Sequence, residues 1–317
     1  MGGDTMSEVP TVAVIMSTYN GEKFLAEQLD SILAQEGVHV ELFIRDDGSK
    51  DSTREILSGY AEKHANIHLD FGENLGFARS FIKELVAAPG YSYYAFSDQD
   101  DYWKPEKLIA AVTAIKEEEA KYSTKIPIIW HSNFHTSDSK LHIIRTTKLD
   151  KRVRSLGSLI LRRSVPGCSM VMNSEAQKLS HHKYTQPLIL TRGHDIALMY
   201  LTYLTGGKVI CSPEAYLYYR QHSSNVVGSP TSLRERLVRE YRKLFEWGHG
   251  MEAGAAQKIL QGGDCYITPY EKRTLELVAG HKDKWLYRLI IIFSPRFRTG
   301  DWRLTLWGKA RALFGWL

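Results

Sequence analysis

The sequence predicts an α/β fold, a mainly parallel mixed sheet flanked by helices on both faces, with a helical extension at the C-terminus. Three observations in the first half of the chain carry this. Apolar, β-rich runs alternate with segments of helical period, the runs read as strands buried on both faces, and three of them end in polar clusters. Strand and helix at this spacing mean βαβ units.

Taken in order, Thr11 to Ser17 (TVAVIMS) is the first strand. Glu22 to Gln35 follows with Phe24, Leu25, Leu29, Ile32 and Leu33 at helical spacing. Val40 to Ile44 is a second strand running into Arg45-Asp46-Asp47-Gly48-Ser49. Asp51 or Ser52 caps a helix from Thr53 to Lys63, whose Ile56, Leu57 and Tyr60 share one face. Asn66 to Asp70 is a short third strand, Gly76 to Ala87 a helix stopped by Pro89-Gly90, and Tyr91 to Phe96 the fourth strand. Pro105 opens a helix to about Lys121, at a position where its missing N–H does no harm.

The second half is less regular. Strands are expected at Ile126 to Asn133, Ser169 to Asn173, Lys208 to Cys211 and Ala215 to Arg220, with a helix at Asp195 to Leu204. After Gly228-Ser229-Pro230 the pattern turns helical and, from Ser232 to Trp247, strongly charged. The chain therefore divides into a flexible N-terminus (1–10), a main domain (11–228) and a helical, basic-aromatic region (229–317).

With 43% apolar and 24% charged residues in 317, the chain is globular and long enough to bury a proper core. Cys168, Cys211 and Cys265 are far apart and form no C-x-x-C, so neither a zinc site nor a disulfide framework is indicated and a reducing compartment is expected. No secretory leader opens the sequence, and no apolar run reaches the roughly eighteen residues of a spanning helix. The net charge of +5 is uneven: from Lys282 onwards there are eight basic and two acidic residues, against 33 and 34 before it. A nucleic-acid binder would carry its charge across a folded face or an RNA-binding motif, and neither is present.

Such sheets bind ligands at the carboxyl ends of their strands. Ser17-Thr18-Tyr19-Asn20, Asp46-Asp47-Gly48-Ser49 and Ser97-Asp98-Gln99-Asp100-Asp101 all sit there. Crowded carboxylates repel one another and lose hydration when buried, so the last cluster calls for a cation. Mn²⁺ or Mg²⁺, held by one or two carboxylates and completed by substrate phosphates, meets that need. Asp98 and Asp100 then fit a nucleoside diphosphate site, with the metal neutralising charge as the diphosphate leaves. The plainer reading is a solvated acidic turn capping the helix at Pro105.

"VIMSTYNGEKFLAEQLDSILAQ", "IRDDGSKDST", "ENLGFARSF" and "FSDQDDYWKPEKL", in that order, resemble the family-2 glycosyltransferases of the GT-A fold from Val12 to about Gly228. "RGHD" and "YRQHSSNVVG" make the bacterial rhamnosyltransferase-like branch the nearest likeness. The resemblance implies that Thr18, Tyr19 and Asn20 line the nucleotide pocket, with the Tyr19 ring against a pyrimidine base. Asp47 would accept from the base N3–H, and Asn74 and Arg79 would lie near the nucleotide or its phosphates. A plain Asx turn at Asp47 and a surface ion pair at Arg79 are the alternatives. Asp100 would ligate the metal directly, Asp98 and Gln99 would lie by the ribose or the second shell, and Asp101 would orient its neighbours. Asp195 matches the family's catalytic base, with His194 in place of the usual acidic partner, although ordinary capping of the next helix also explains Asp195. His222 would return to the diphosphate or metal, and no chemistry is assigned to Cys168.

From Lys284 to Leu317, Trp285, Leu286, Phe293, Trp302, Leu306, Trp307 and other apolar residues interleave with lysines and arginines. This suits a helix lying in an anionic membrane interface; a helical pair packing on its own domain or a partner chain has the same pattern. The expected function is an inverting, metal-dependent transfer of L-rhamnose from dTDP-β-L-rhamnose to a lipid-linked precursor of cell-surface polysaccharide, in the cytoplasm at the inner face of the membrane. A homodimer remains open. The alternatives are a UDP-sugar-dependent galactosyl- or glucosyltransferase, a sugar-nucleotide nucleotidyltransferase, and a non-catalytic membrane scaffold. "STYNGEKF" is not the Gly-rich, basic loop a nucleotidyltransferase needs for its triphosphate.

Overall fold

Side chains alternate across a strand, and along β1 (Thr11–Thr18) this sends Val12, Val14 and Met16 into one core and Ala13 and Ile15 into another. All five are fully buried, as the centre of a sheet covered on both faces requires. The computed structural model describes residues 9–149, 155–161, 165–222, 251–263 and 266–317. Residues 1–8, the boundary at 228 and the charged segment Ser232 to Trp247 lie outside the described residues.

β2 (His39–Asp46) and β4 (Tyr93–Ser97) flank β1 in parallel, and β3 (Ile67–Phe71) pairs with β2. The chain thus builds outward from β1 to β3 and returns to the other side of β1 with β4. That reversal leaves a crevice beyond the ends of β1 and β4, the usual ligand position in such sheets. The remaining strands are β5 (Tyr102–Trp103), β6 (Ile128–Ser137), β7 (Ile143–Thr146), β8 (Met170–Asn173) and β9 (Lys208–Arg220). They extend the sheet in the order β3-β2-β1-β4-β8-β6-β9-β5, with β7 beside β6. β8 runs antiparallel to both β4 and β6, so the sheet is mixed.

One strand, β9, replaces the two expected between Lys208 and Arg220. Its pairing with β6 shifts register around Asn133, so Ser132 faces Ser212 and Asn133 faces Ala215. The bulge accommodates Pro213, which has no N–H for the ladder, without ending the strand.

Helices α1 (Leu25–Leu33), α2 (Thr53–Ala61) and α4 (Lys107–Glu119) cover one face through Leu25, Leu29, Leu57, Leu108 and Val112. At the start of α2 the side-chain cap is Asp51, whose Oδ1 accepts the Thr53 N–H at 3.1 Å; Ser52 makes no such bond. The other face carries α3 (Phe77–Ala87), α5 (Leu156–Leu161), α6 (Ser174–Lys178), α7 (Thr185–Arg192) and α8 (His194–Leu204). Into this second core come α9 (Met251–Gln261), α10 (Pro269–Ala279), α11 (Trp285–Phe293) and α12 (Trp302–Leu313), through Ala256, Ile259, Leu275, Val278, Ile291 and Ala312. Among the described residues no helix is long and apolar enough to cross a membrane.

Arg192 at the end of α7 and Glu252 in the first turn of α9 form an enclosed ion pair, 2.6 Å at its closest. Removing one partner strands the other's charge in the interior. Arg192→Met is therefore expected to cost about 3–5 kcal/mol of unfolding free energy, read as a lower urea midpoint. An unchanged midpoint would mean that water reaches Glu252.

Candidate active site

The ends of β1 and β2 are stitched together. Thr18, buried, donates its hydroxyl to Asp46 Oδ1 at 3.1 Å. Asn20 takes a φ of 48°, which asparagine tolerates better than most residues. There its N–H donates to Ser49 Oγ and its Oδ1 accepts the Lys50 N–H, both at 2.9 Å. Asp46 collects further bonds from Gly48, Ser49 and Arg54. Burial works to raise its pKa, but the hydrogen bonds from Ser49, Arg54 and Thr18 outweigh it and hold the pKa below the ordinary value.

Asp47 is buried and ion-paired with Arg45. It accepts the Leu75 and Gly76 N–H groups at 2.8 and 2.9 Å, and so fixes the loop that carries Asn74. Asn74 and Arg79 stay exposed, on that loop and in the first turn of α3. The Tyr19 ring is also exposed, but its backbone is clamped on both sides by Gln99. The Tyr19 N–H donates to Gln99 Oε1 at 2.8 Å, and Gln99 Nε2 donates to the Tyr19 carbonyl at 3.1 Å. A Cβ at Gly21 would lie 2.3 Å from that Oε1, so the close approach requires glycine.

The third strand end carries the carboxylates. Ligand atoms of Asp98, Asp101 and Cys168 all lie within 4.8 Å of one another. Burial, then the charges of Asp100 and Asp195, push the Asp98 carboxyl up to about 7. Burial and the same crowding raise Asp101 well above the ordinary value. Lys107 is buried nearby: its Nζ donates to the Cys168 carbonyl at 2.7 Å and lies over the Trp103 ring. Burial pulls its pKa down to about 7, against the attraction of Asp101 and Asp98.

Asp101 Oδ1 accepts the Arg220 N–H at 3.2 Å and the Cys168 thiol leans weakly on the carboxyl, whereas Oδ2 is buried without an N–H or O–H donor. An unmatched oxygen among under-compensated carboxylates fits a hard, oxygen-seeking Mn²⁺ or Mg²⁺; the thiol of Cys168 is too soft to be a preferred ligand. Asp100 lies beside the group, its Oδ2 2.8 Å from His222 Nε2. Arg220 braces the turn from within by donating to the Asp100 carbonyl at 3.0 Å and pairing with Glu27.

Asp195 sits in the first turn of α8, but the N-cap position is Gly193, at φ 89°. Asp195 Oδ2 accepts the Gly167 N–H at 3.1 Å and Oδ1 its neighbour Ile196 N–H at 2.7 Å. Burial outweighs these bonds and raises its pKa to about 6. His194 is buried, stacked on Phe81 at 4.2 Å and edge-on to Phe96 at 4.7 Å. Burial lowers its pKa to about 3, so it is neutral and only weakly basic at physiological pH. Asp195 is the stronger base of the pair.

The three polar clusters thus meet as the sequence predicts. Asp98, Asp100 and His222 gather in one place, with Asp195 near enough for its charge to act on Asp98. Asn74 and Arg79 remain outside that group. Reading the sequence alone missed the supporting roles of Lys107, Arg220 and Arg45 and the position of Cys168. Lys107, four residues beyond Trp103, and Arg220, ending an apolar strand, were the available signals.

A parallel half-sheet with carboxylates at its strand ends, continued by a mixed half that brings an acidic residue towards them, is the architecture of the GT-A glycosyltransferases. The sequence profile described as Glycosyl transferase family 2 matches residues 13–174, half of the chain, and the chain belongs to that family. It is 28% identical over 236 residues to the dTDP-rhamnosyl transferase RfbG of Shigella flexneri, covering 71% of this chain and 77% of that one. It is 32% identical over 173 residues to the putative teichuronic acid biosynthesis glycosyltransferase TuaG of Bacillus subtilis, covering 53% and 64%. Over these and a further cyanobacterial relative, the chain spans between 64% and 77% of their length. Among solved structures, TarS 1-349 of Staphylococcus aureus in complex with UDP-GlcNAc superposes with a TM-score of 0.58 at 16% identity, covering 96% and 89%.

Proposed function

We propose that the chain is an inverting glycosyltransferase that moves L-rhamnose from dTDP-β-L-rhamnose to a lipid-linked precursor of cell-surface polysaccharide, at the cytoplasmic face of the membrane. The observation that carries the transfer reading is the meeting of the Asp98–Asp101 carboxylates with Asp195, whose own pKa is raised by burial. The name of the Shigella relative supports the choice of sugar.

In this reading Thr18, Tyr19, Asn20 and Asp47 border the base pocket, and the loop Asp47 fixes brings Asn74 and Arg79 alongside the nucleotide. Asp98, Asp100, Asp101 and His222 would hold Mn²⁺ or Mg²⁺ with the donor's diphosphate, and the cation would neutralise charge on that leaving group. Asp195 takes the proton of the acceptor hydroxyl as its oxygen bonds to the sugar C1. The bond from C1 to the diphosphate oxygen breaks, and the nucleoside diphosphate leaves with that electron pair. One displacement inverts the anomeric centre. The basic-aromatic segment 284–317 keeps the enzyme at the surface where a lipid-linked acceptor lies.

Calorimetric titration with dTDP-rhamnose, UDP-galactose and UDP-glucose, each with Mn²⁺ or Mg²⁺ and again with chelator, tests the donor without knowledge of the acceptor. Tighter binding of dTDP-rhamnose, dependent on metal and weakened by Asp100→Asn, is expected. Preference for a UDP-sugar would overturn the donor; metal-independent binding unaffected by the substitution would overturn the role of the carboxylates.

A further inference from the structure

The membrane contact inferred for residues 284–317 rests on a sequence pattern, and the structure adds an element far from it in the chain. β7 is exposed along its whole length, with Ile143 and Ile144 half or more open to solvent. It shares with the start of α12 a cavity of about 410 Å³, lined by Arg145, Thr146, Thr147, Lys148, Gly300, Asp301 and Trp302. Trp302 is 70% exposed, and Leu306 and Leu313 continue its stripe along α12. α11 is joined to α12 by Lys309 donating to the Ile292 carbonyl and by Arg288 donating to the Leu313 carbonyl, and it exposes Trp285, Leu286 and Phe293.

These residues have the composition of an interfacial surface: aromatic and aliphatic side chains out, with basic residues among them. Among the described residues Asp301 is the one acid lining the cavity, and its carboxylate already accepts the Arg303 N–H at 2.9 Å. Arg145 and Lys148 line the same cavity and are exposed. Among the described residues nothing covers Ile143 and Ile144, and the exposed basic residues beside them suit an anionic apolar surface.

We propose that β7 and α12 together form a bilayer-docking surface in which Ile143, Ile144 and Trp302 enter the interface, while Arg145 and Lys148 hold the phosphate of an anionic lipid in the cavity between them. The proposal deepens the membrane part of the functional reading but does not depend on the donor or on catalysis. The cavity places two elements of the chain at one surface, so the enzyme is held in a fixed orientation rather than tethered by its tail.

Co-sedimentation of the full chain with phosphatidylglycerol–phosphatidylcholine vesicles, without nucleotide, is the test. Binding to mixed vesicles and little to pure phosphatidylcholine is expected. Losing two basic contacts in R145E/K148E weakens it by about thirtyfold, at about 1 kcal/mol for each. I143S/I144S, with both positions already exposed, is expected to weaken it while leaving the thermal midpoint and donor titration unchanged. Absence of binding to either vesicle, or binding unchanged in both variants, would overturn the proposal. So would concentration-dependent self-association lost in both variants without vesicle binding, because the surface would then meet a second copy of the chain. Failure of donor binding with vesicle binding intact would count against the proposed transfer reaction and leave this surface standing.

Discussion

Asp195→Asn is expected to lower kcat by about 10²–10⁴-fold, the usual contribution of a positioned general base, while donor affinity stays within a factor of two or so. Asparagine keeps the shape and can still accept the Gly167 N–H, so the loss isolates proton transfer from packing. The pH profile gives a second readout. Asp195 acts only when ionised, and burial has raised its pKa to about 6. With Mn²⁺ saturating at every pH, the logarithm of kcat/KM should therefore rise with unit slope below about pH 6 and level off above it. In Asp195→Asn that limb should vanish from the residual activity. A variant that keeps both the rate and the limb would place the base elsewhere, and His194, with its lowered pKa, is a poor replacement.

The second large effect concerns the carboxylates, and it has opposite signs for binding and stability. Asp98→Asn and Asp101→Asn are each expected to weaken Mn²⁺ binding by about 100-fold or more, above what loss of an outer-shell partner costs. In the metal-free protein the same substitutions should raise the thermal midpoint, because each removes a carboxylate that is crowded and desolvated. The sign follows from linkage: Asp98 holds its proton more tightly folded than unfolded, so its penalty grows as pH rises from about 4 to about 7 and is constant above. Metal must displace that proton, so Mn²⁺ affinity should climb with pH up to about 7. Calorimetry in buffers of different ionisation heat measures the protons released. Weaker Mn²⁺ binding without apo stabilisation would point to damaged packing instead.

The N-terminal half of the sheet was legible because apolar runs such as those at Thr11 and Tyr93 alternate with helical-period segments and end in polar clusters, which needs no tertiary information. β5 was not legible, since two residues have no period, and β7 was not, since Ile143 to Thr146 is short and has no buried face to give it an alternation. The split expected at Pro213 failed because proline looks like a strand end in sequence, whereas a bulge can absorb it in a sheet. In the site, the acidic residues were found through their crowding. The basic residues that hold them were not: Lys107 and Arg220 lie in a helix and a strand where surface cations are common, and only their burial reveals their task.

The shared second core has a consequence for how this protein comes into being. The helix that carries Asp195 packs in the same core as Ile291, Phe297 and Ala312, much further along the chain. On the ribosome, β1 to β4 and the helices of the first face emerge early and can pair at once, whereas the side that seats Asp195 cannot close until α11 and α12 are released. The half with Thr18, Asp47 and Asp98 is thus ready before the half with Asp195, and α8 waits exposed in between. A chaperone that shields this apolar helix during synthesis would act on the step that determines how much active enzyme a cell obtains.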